Sequence, residues 1–434
     1  MKNILFALFS CVLIAVVIYL VMCLLAWRKQ HEHDHLPGIV PTPLPAKTFH
    51  QSPEDYNRFA VESYLKIVRG KGDENAVFSP FSLSMALEVL YAGSGGETTR
   101  TLESVLHLPK GNNDLPQNPA LFEYKSPKRV LIDPWPYYVH PPIFLAGNSI
   151  WYSDKLTLNR TFESNMKKAF FLDTFPVNAT ANRTQVASDM EQWVNRVTQG
   201  LIPSVSPEPP AELSFTLLST LYFKAFWHRP FETRNTFDSP FTLITGEEIM
   251  APRMSDEAWF PFMQNDELRA LEMPFLQDGD LTGGEMSNLS MLFILPKTTG
   301  AIHALEEKLS EQMLGEIVRS LADTLLLVSI PKFRLEQENN LRDIFEDDSL
   351  VFDADFSGMF TPAPLTDAVS AKQKIVLGID EHGTEAAVAT EIAYLSLGSD
   401  PPIFIADHPF LFLIRERNTS TILFLGRVMN PNEK

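Results

Sequence analysis

Helix-like and strand-like patterns are segregated along this chain, and that segregation limits the folds open to it. Apolar residues at helical spacing mark 54–70, through Phe59, Val61, Tyr64, Leu65, Ile67 and Val68. A second helix is predicted over Phe81–Tyr91 behind Pro80, stopped by Gly93-Ser94-Gly95-Gly96, and a third over Glu97–Leu106. Strand-like runs follow at Ile143–Tyr152, Phe215–Phe223, Met291–Leu295, Leu325–Ile330, Lys374–Ile379 and Ile422–Val428. Helices early and strands late predict an α+β fold with antiparallel or mixed sheets, not a βαβ repeat. Prolines crowd the stretch from Leu108 to Pro142, which excludes a long regular helix there.

The two cysteines, Cys11 and Cys23, both lie in the N-terminal apolar stretch. The rest of the chain therefore forms no internal disulfide, uses no thiol nucleophile and holds no Cys-ligated zinc; its stability must come from burial. With 434 residues and 45% hydrophobic content, there is ample material for a large core. The net charge of −18 argues against nucleic acid as a partner, because phosphate binding needs clustered Lys and Arg.

From Ile4 to Trp27 the one clearly polar residue is Ser10. As a helix this run is roughly 36 Å long, against roughly 30 Å of bilayer hydrocarbon. It exceeds the usual signal core of about 7–15 residues, and Leu24-Leu25-Ala26 is a poor cleavage site. Residues 1–27 thus read as a hydrophobic signal-anchor in preference to a cleaved signal, and 28–50 as a proline-rich spacer with Pro37, Pro41, Pro43 and Pro45. Lys2 on one side and Arg28-Lys29 on the other barely set an orientation. Five sequons, at Asn159, Asn178, Asn182, Asn288 and Asn418, favour a lumenal or extracellular body. The expected location is the secretory pathway, either secreted or as a single-pass type II protein.

His31-Glu32-His33-Asp34-His35 matches H-E-x-x-H, which as a zinc protease motif needs a buried helix. Leu36-Pro37-Gly38 follows at once, so a polar juxtamembrane spacer is preferred to a metal site. Gly93-Ser94-Gly95-Gly96 lacks the Lys-Ser/Thr ending of a phosphate loop, and no G-x-S-x-G elbow is present. Nothing in these patterns supports enzymatic chemistry, and no cofactor is implied.

The stretch Glu381–Leu397 alternates with period two. Thr384, Ala386, Val388, Thr390, Ile392 and Tyr394 share an uncharged face, opposite Glu385, Ala387, Ala389, Glu391, Ala393 and Leu395. Residue physics alone ranks an alanine-rich helix first, a strand second, and a loop able to become a strand third.

Ile379–Thr390 resembles the hinge of an inhibitory serpin, a serine protease inhibitor. Ala406–Arg415 continuing to Ile422–Pro431 resembles the serpin C-terminal signature. Asn75–Leu83, Tyr222–Trp227, Pro331-Lys332-Phe333 and Ala354–Gly358 are similar to further serpin blocks, in family order over about residues 50–434. The resemblance implies one serpin domain over 51–434, with three β-sheets, about eight or nine helices and an exposed reactive-centre loop.

It also implies a mechanism: a protease cuts the loop, is held as an acyl-enzyme, and is inactivated as the loop inserts into the central sheet. By resemblance, Glu381, Gly383, Thr384, Ala386, Ala387, Val388 and Ala389 form the hinge. The reactive bond joins Leu397 to Gly398, to within one or two positions, with Leu395 the other apolar candidate. Leu397 suits a chymotrypsin-, elastase- or cathepsin G-like pocket. Lys332 and Glu381 match the pair that closes the sheet top near Trp227, and Ser79, Ser82, Ser219 and Gln373 fall in the sheet-opening region. Ser219 and Gln373 stand where the family has Asn and His, and a Ser–Gln contact in their place still allows a hydrogen bond, with different geometry. The implied partner is a serine protease bound covalently to a monomer. The alternative is a non-inhibitory serpin acting as a secreted or membrane-tethered carrier.

Overall fold

The computed structural model describes residues 52–108, 128–132, 135–139, 143–170, 172–202, 214–278, 285–340, 354–364, 369–383 and 402–433. The signal-anchor, the spacer, the His31–His35 run, Thr384–Ala389 of the hinge, Leu395 and the Leu397-Gly398 bond lie outside the described residues. No helix among the described residues is long and apolar enough to cross a membrane.

Seven α-helices are present among the described residues: α1 (Pro53–Arg69), α2 (Pro80–Ala92), α3 (Gly96–Val105), α4 (Arg160–Phe170), α5 (Ala179–Val197), α6 (Ile302–Lys308) and α7 (Glu311–Ser320). The strands in the first half of the chain are β1 (Ala76–Phe78), β2 (Lys128–Ile132), β3 (Trp135–Val139), β4 (Ile143–Ser153), β5 (Thr157–Leu158), β6 (Leu172–Val177) and β7 (Phe215–Lys224). Next come β8 (Thr236–Thr242), β9 (Glu248–Gln264), β10 (Leu268–Asp278), β11 (Glu285–Pro296), β12 (Ala322–Pro331) and β13 (Phe333–Asn340). The last are β14 (Phe360–Thr361), β15 (Val369–Ile379), β16 (Ile403–Ile405), β17 (Phe410–Glu416) and β18 (Ile422–Val428). The fold is α+β, as expected. The proline-rich stretch holds no helix where it is described; β2 and β3 pair there as a ribbon.

Helix boundaries follow local chemistry. Ser52 caps α1 by accepting from the Asp55 amide, Pro53 opens the first turn, and Lys66 and Arg69 sit at its carbonyl end. Its buried face carries Tyr56, Phe59, Ala60, Tyr64, Ile67 and Val68 at helical spacing. The second helix starts the same way, with Ser79 as cap and Pro80 behind it, but every residue from Pro80 to Leu90 is buried. A helix apolar on all sides belongs inside the protein, and α2 packs against both β7 and β18.

Five strands form one sheet in the order β13-β15-β7-β4-β6. A nine-stranded sheet runs β1-β18-β17-β11-β10-β9-β12-β16, with β8 on β9. The long strand β9 joins its two parts, pairing with β10 at one end and with β12 and β8 beyond. β17 and β18 are buried on both faces and centre the core between the sheets.

A polar knot ties the ends of this core together. The Glu306 carboxylate (α6) accepts the Tyr64 hydroxyl (α1) at 2.6 Å and Arg427 Nη1 (β18) at 2.9 and 3.1 Å. His303 bridges Glu306 at 3.1 Å and Asp73 at 2.8 Å. Both its ring nitrogens face carboxylates, so the imidazolium suits the site. Burial pulls its pKa down, but the bonds to Asp73 and Glu306 outweigh burial and the nearby Arg427 and raise it. A raised histidine pKa adds stability that is complete below about pH 6.5 and lost as pH rises through the folded value. The ring is 43% exposed, so the loss should be only about 0.5–1 kcal/mol. Urea unfolding midpoints between pH 6 and 9 should show this decline in the native chain and a flatter limb in His303→Ala.

Candidate functional site

The site is built around β15 and β7. These strands are neighbours in the five-stranded sheet and run parallel, paired from Val369↔Phe215 to Val376↔Tyr222. Two sets of contacts hold them, one midway and one where β15 ends.

The midway set is a polar row across the sheet. Asn339 on β13, Gln373 on β15, Ser219 on β7 and Asn148 on β4 are successive register partners, and all four are buried. The first turn of α2 lies against the row. Gln373 Nε2 donates to the Ser79 carbonyl at 2.8 Å, and its Oε1 accepts the Ser79 amide at 3.2 Å. Asn339 Nδ2 donates to Gln373 Oε1 at 3.4 Å and to the Val77 carbonyl at 3.1 Å. Ser219 Oγ bonds Ser82 Oγ at 2.7 Å and donates to Asn148 Oδ1 at 2.8 Å.

The Ser219–Gln373 bond that their chemistry allows does not form. The longer Gln373 side chain reaches past Ser219 and is captured at both ends by the backbone of the α2 cap. Short Ser219 is satisfied by Ser82 and Asn148 instead. Asn339 and Asn148 were missing from the sequence reading, because membership in the row depends on strand register, which no local pattern reports.

The upper set is a clasp. Glu381, 5% exposed in its side chain, pairs with Lys332 Nζ at 2.9 Å and accepts the Thr236 hydroxyl at 2.9 Å. Burial raises the pKa of this carboxyl, yet the Lys332 and Thr236 contacts outweigh it and hold the pKa below the usual range. Lys332 sits between β12 and β13, where the two large sheets meet. Trp227 completes the clasp: its indole stacks on Phe275 at 4.7 Å, and Nε1 donates to the Asp380 carbonyl at 3.1 Å. The Trp227 amide donates to the His382 carbonyl at 2.7 Å and the Phe231 amide to the Glu381 carbonyl at 2.7 Å. The expected grouping of Lys332, Glu381 and Trp227 is thus present in the geometry.

The chain reverses at the top of β15 through a bridge between Asp380 and Gly383. Gly383 has φ +139°, and a Cβ there would sit 2.1 Å from the Ala225 carbonyl oxygen. Both facts demand glycine. The five sequon asparagines are exposed. Asn159 caps α4 through the Thr161 and Phe162 amides and donates to the Gly358 carbonyl. Asn178 donates to Asp154, Asn182 sits at a non-helical kink in α5, Asn288 lies in β11, and Asn418 lies in the β17–β18 turn.

Comparison with known proteins bears on this arrangement. The family model Serpin (serine protease inhibitor) matches residues 54–431. An uncharacterized serpin-like protein of Thermococcus kodakarensis is 31% identical, covering 87% of this chain and 85% of that protein. Mouse antithrombin-III is 27% identical over 93% of this chain and 86% of its own length. Human thyroxine-binding globulin in complex with its hormone superposes with a TM-score of 0.72 at 25% identity, covering 88% of this chain and 98% of that one. Human kallistatin gives a TM-score of 0.73 at 22% identity, covering 88% and 100%, and shares the fold. With its motifs in order, its two-point closure of parallel β15 and β7, and these likenesses, the chain belongs to the serpin family.

Proposed function

We propose that this serpin inhibits a serine protease by taking its own cleaved reactive strip as a new strand between β15 and β7. The observation that carries the reading is strand direction. β15 and β7 are parallel, and the chain leaving β15 turns back at Gly383. A strand continuing from that turn runs antiparallel to β15 and therefore to β7. Insertion exchanges one parallel pairing for two antiparallel ones, which are the more stable kind per residue.

The register supports the same reading. Extending the Asp380–Gly383 bridge sets Thr384, Ala386, Val388 and Thr390 opposite Ile379, Leu377, Ile375 and Gln373. Those four β15 residues are buried, so the uncharged face of the strip turns inward and Glu385 and Glu391 turn outward. Thr390 arrives at the polar row, where Gln373 is the one polar residue among these four. About fifteen residues from Gly383 to Leu397 span about 50 Å as a strand.

In this mechanism the protease serine attacks the Leu397 carbonyl, the bond to Gly398 breaks, and its amine leaves. The acyl-enzyme is then carried along the sheet before water can release it. We place the serpin body on the lumenal or extracellular side, delivered by residues 4–27; sequencing the mature N-terminus distinguishes a cleaved signal from a retained type II anchor.

Mixing the serpin body with chymotrypsin should yield an SDS-resistant complex, and loop cleavage should raise the melting temperature by tens of degrees. Clean cleavage with an unchanged melting temperature across chymotrypsin, elastase and cathepsin G would instead support the carrier reading. Parity gives a sharper check. Val388→Glu buries a charge on insertion and should turn the inhibitor into a substrate, with the stoichiometry of inhibition rising at least tenfold. Ala387→Glu points outward and should leave stoichiometry within about twofold. Equal effects from the two would show that the register is wrong.

A further inference from the structure

The interior of α2 holds one acidic side chain, Glu88, that neither set of seam contacts uses. It lies roughly two and a half turns beyond the Ser79 cap and is 6% exposed. Its Oε1 is buried with no hydrogen-bond partner. Burial pushes the pKa of this carboxyl up to about 8, and no basic side chain opposes the rise. An unpaired charge in such a place costs far more than a neutral acid, so the carboxyl keeps its proton through the neutral range.

The surroundings offer the ionised form nothing. α2 packs against α1, α3, α4, β4, β7 and β18. Among the described residues, Tyr56 of α1 is the titratable side chain that feels Glu88, and its own pKa is raised well above the usual value by burial and then by that carboxylate. The Tyr56 hydroxyl donates to the Ile422 carbonyl at 2.9 Å. Elsewhere the charged groups are turned to other partners. On α1, Arg58 pairs with Asp55 and Glu62 with His107. Glu103 of α3 bonds Tyr91, Glu163 of α4 bonds Thr174, Lys224 of β7 interacts with Asp380, and Arg427 of β18 is held by Glu306.

No face of α2 from Pro80 to Leu90 meets water, so an ionised Glu88 is hydrated only if the helix moves. The helix is stiff, and its first turn is the piece that bonds Gln373 through Ser79 and Ser219 through Ser82. We infer that Glu88 is a pH-sensitive release built into the midway contacts: as a neutral acid it lets α2 stay seated, and its ionisation shifts the helix and draws the first turn off β15 and β7. A carboxyl whose folded pKa is raised contributes stability that is whole below about pH 4.3 and is lost as pH climbs through the folded value. Alkaline medium should therefore loosen the seam, whether or not the reactive strip ever inserts.

The test compares the full native chain with Glu88→Gln, which keeps the shape and cannot ionise. The native chain should show the infrared band of a protonated carboxyl at about pH 6 and lose it as pH passes about 8, and Glu88→Gln should lack that band. Hydrogen exchange at the Phe81 to Ser84 amides, corrected for the intrinsic effect of pH, should quicken between about pH 6 and about pH 9 by at least about tenfold more in the native chain than in Glu88→Gln. Thermal midpoints should separate in the same direction, since the decline owed to His303 is common to both chains. Parallel exchange profiles overturn the release. So does quickening spread evenly over every helix and strand, which marks global unfolding. A Glu88 carboxyl already ionised at about pH 6 overturns it as well, and that measurement on the native chain decides even where Glu88→Gln does not fold.

Discussion

The parallel contact of β15 with β7 is the constraint on which the rest of the structure depends. Each edge of the seam lacks its best partner, because an antiparallel strand between them would bond both more favourably. The sheet is nevertheless closed, and the closure is local. Gln373 and Ser219, each bonded to the start of α2, hold the seam midway, and the Trp227 bonds to Asp380 and His382 with the Phe226–Gly383 bridge hold it where β15 ends, while the apolar core packs beneath. Under the proposed mechanism, opening has to undo buried polar contacts before any new pairing rewards it, so the closed state would be held by rate rather than by depth.

The α2 helix is what makes the midway contacts a bolt. Its cap residue binds β15 through Gln373, and the next turn binds β7 through Ser82 and Ser219. Because α2 is buried on every side, its first turn could not follow both strands if they separate in the proposed insertion. One set of bonds has to break, and the buried groups so exposed lose their partners until new ones arrive, which is the costly direction for a hydrogen bond. The capture of Gln373 by two backbone groups makes the β15 side the firmer of the two.

Much of this was legible in the residues and some was not. Ser52-Pro53 and Ser79-Pro80 announce helix starts by capping chemistry that acts within one turn, and both helices begin there. The strands predicted at 215–223, 374–379 and 422–428 lie within β7, β15 and β18 because buried β-branched and aromatic runs need no partner to be recognised. The Glu381–Lys332 clasp was reached only through resemblance, since nothing local links two residues so far apart. The polar row is legible only in part: Gln373 and Ser219 stand out in the sequence, but the bond that their chemistry allows between them does not form. Side-chain length decided it, and length matters only once α2 is known to lie within reach.

Gly383 shows why the two ends of the seam behave differently. At the clasp the backbone itself is committed, with a positive φ and a carbonyl too close to admit a Cβ, so the turn tolerates one residue type and reverses the chain at a set point. In the proposed insertion, that reversal sets the parity of the strip that follows. Midway along the seam nothing in the backbone is special, and specificity comes from side chains matched across four strands. A strip inserting as proposed would therefore have its register imposed before its first inward residue is buried. Thr390 is polar where the row is polar, and Ala386 and Val388 are apolar where β15 presents Leu377 and Ile375. The same alternation in a helix would scatter Glu385 and Glu391 onto different sides of the cylinder with no gain from their parity, which is what sets the proposed insertion against the helix that composition alone favours.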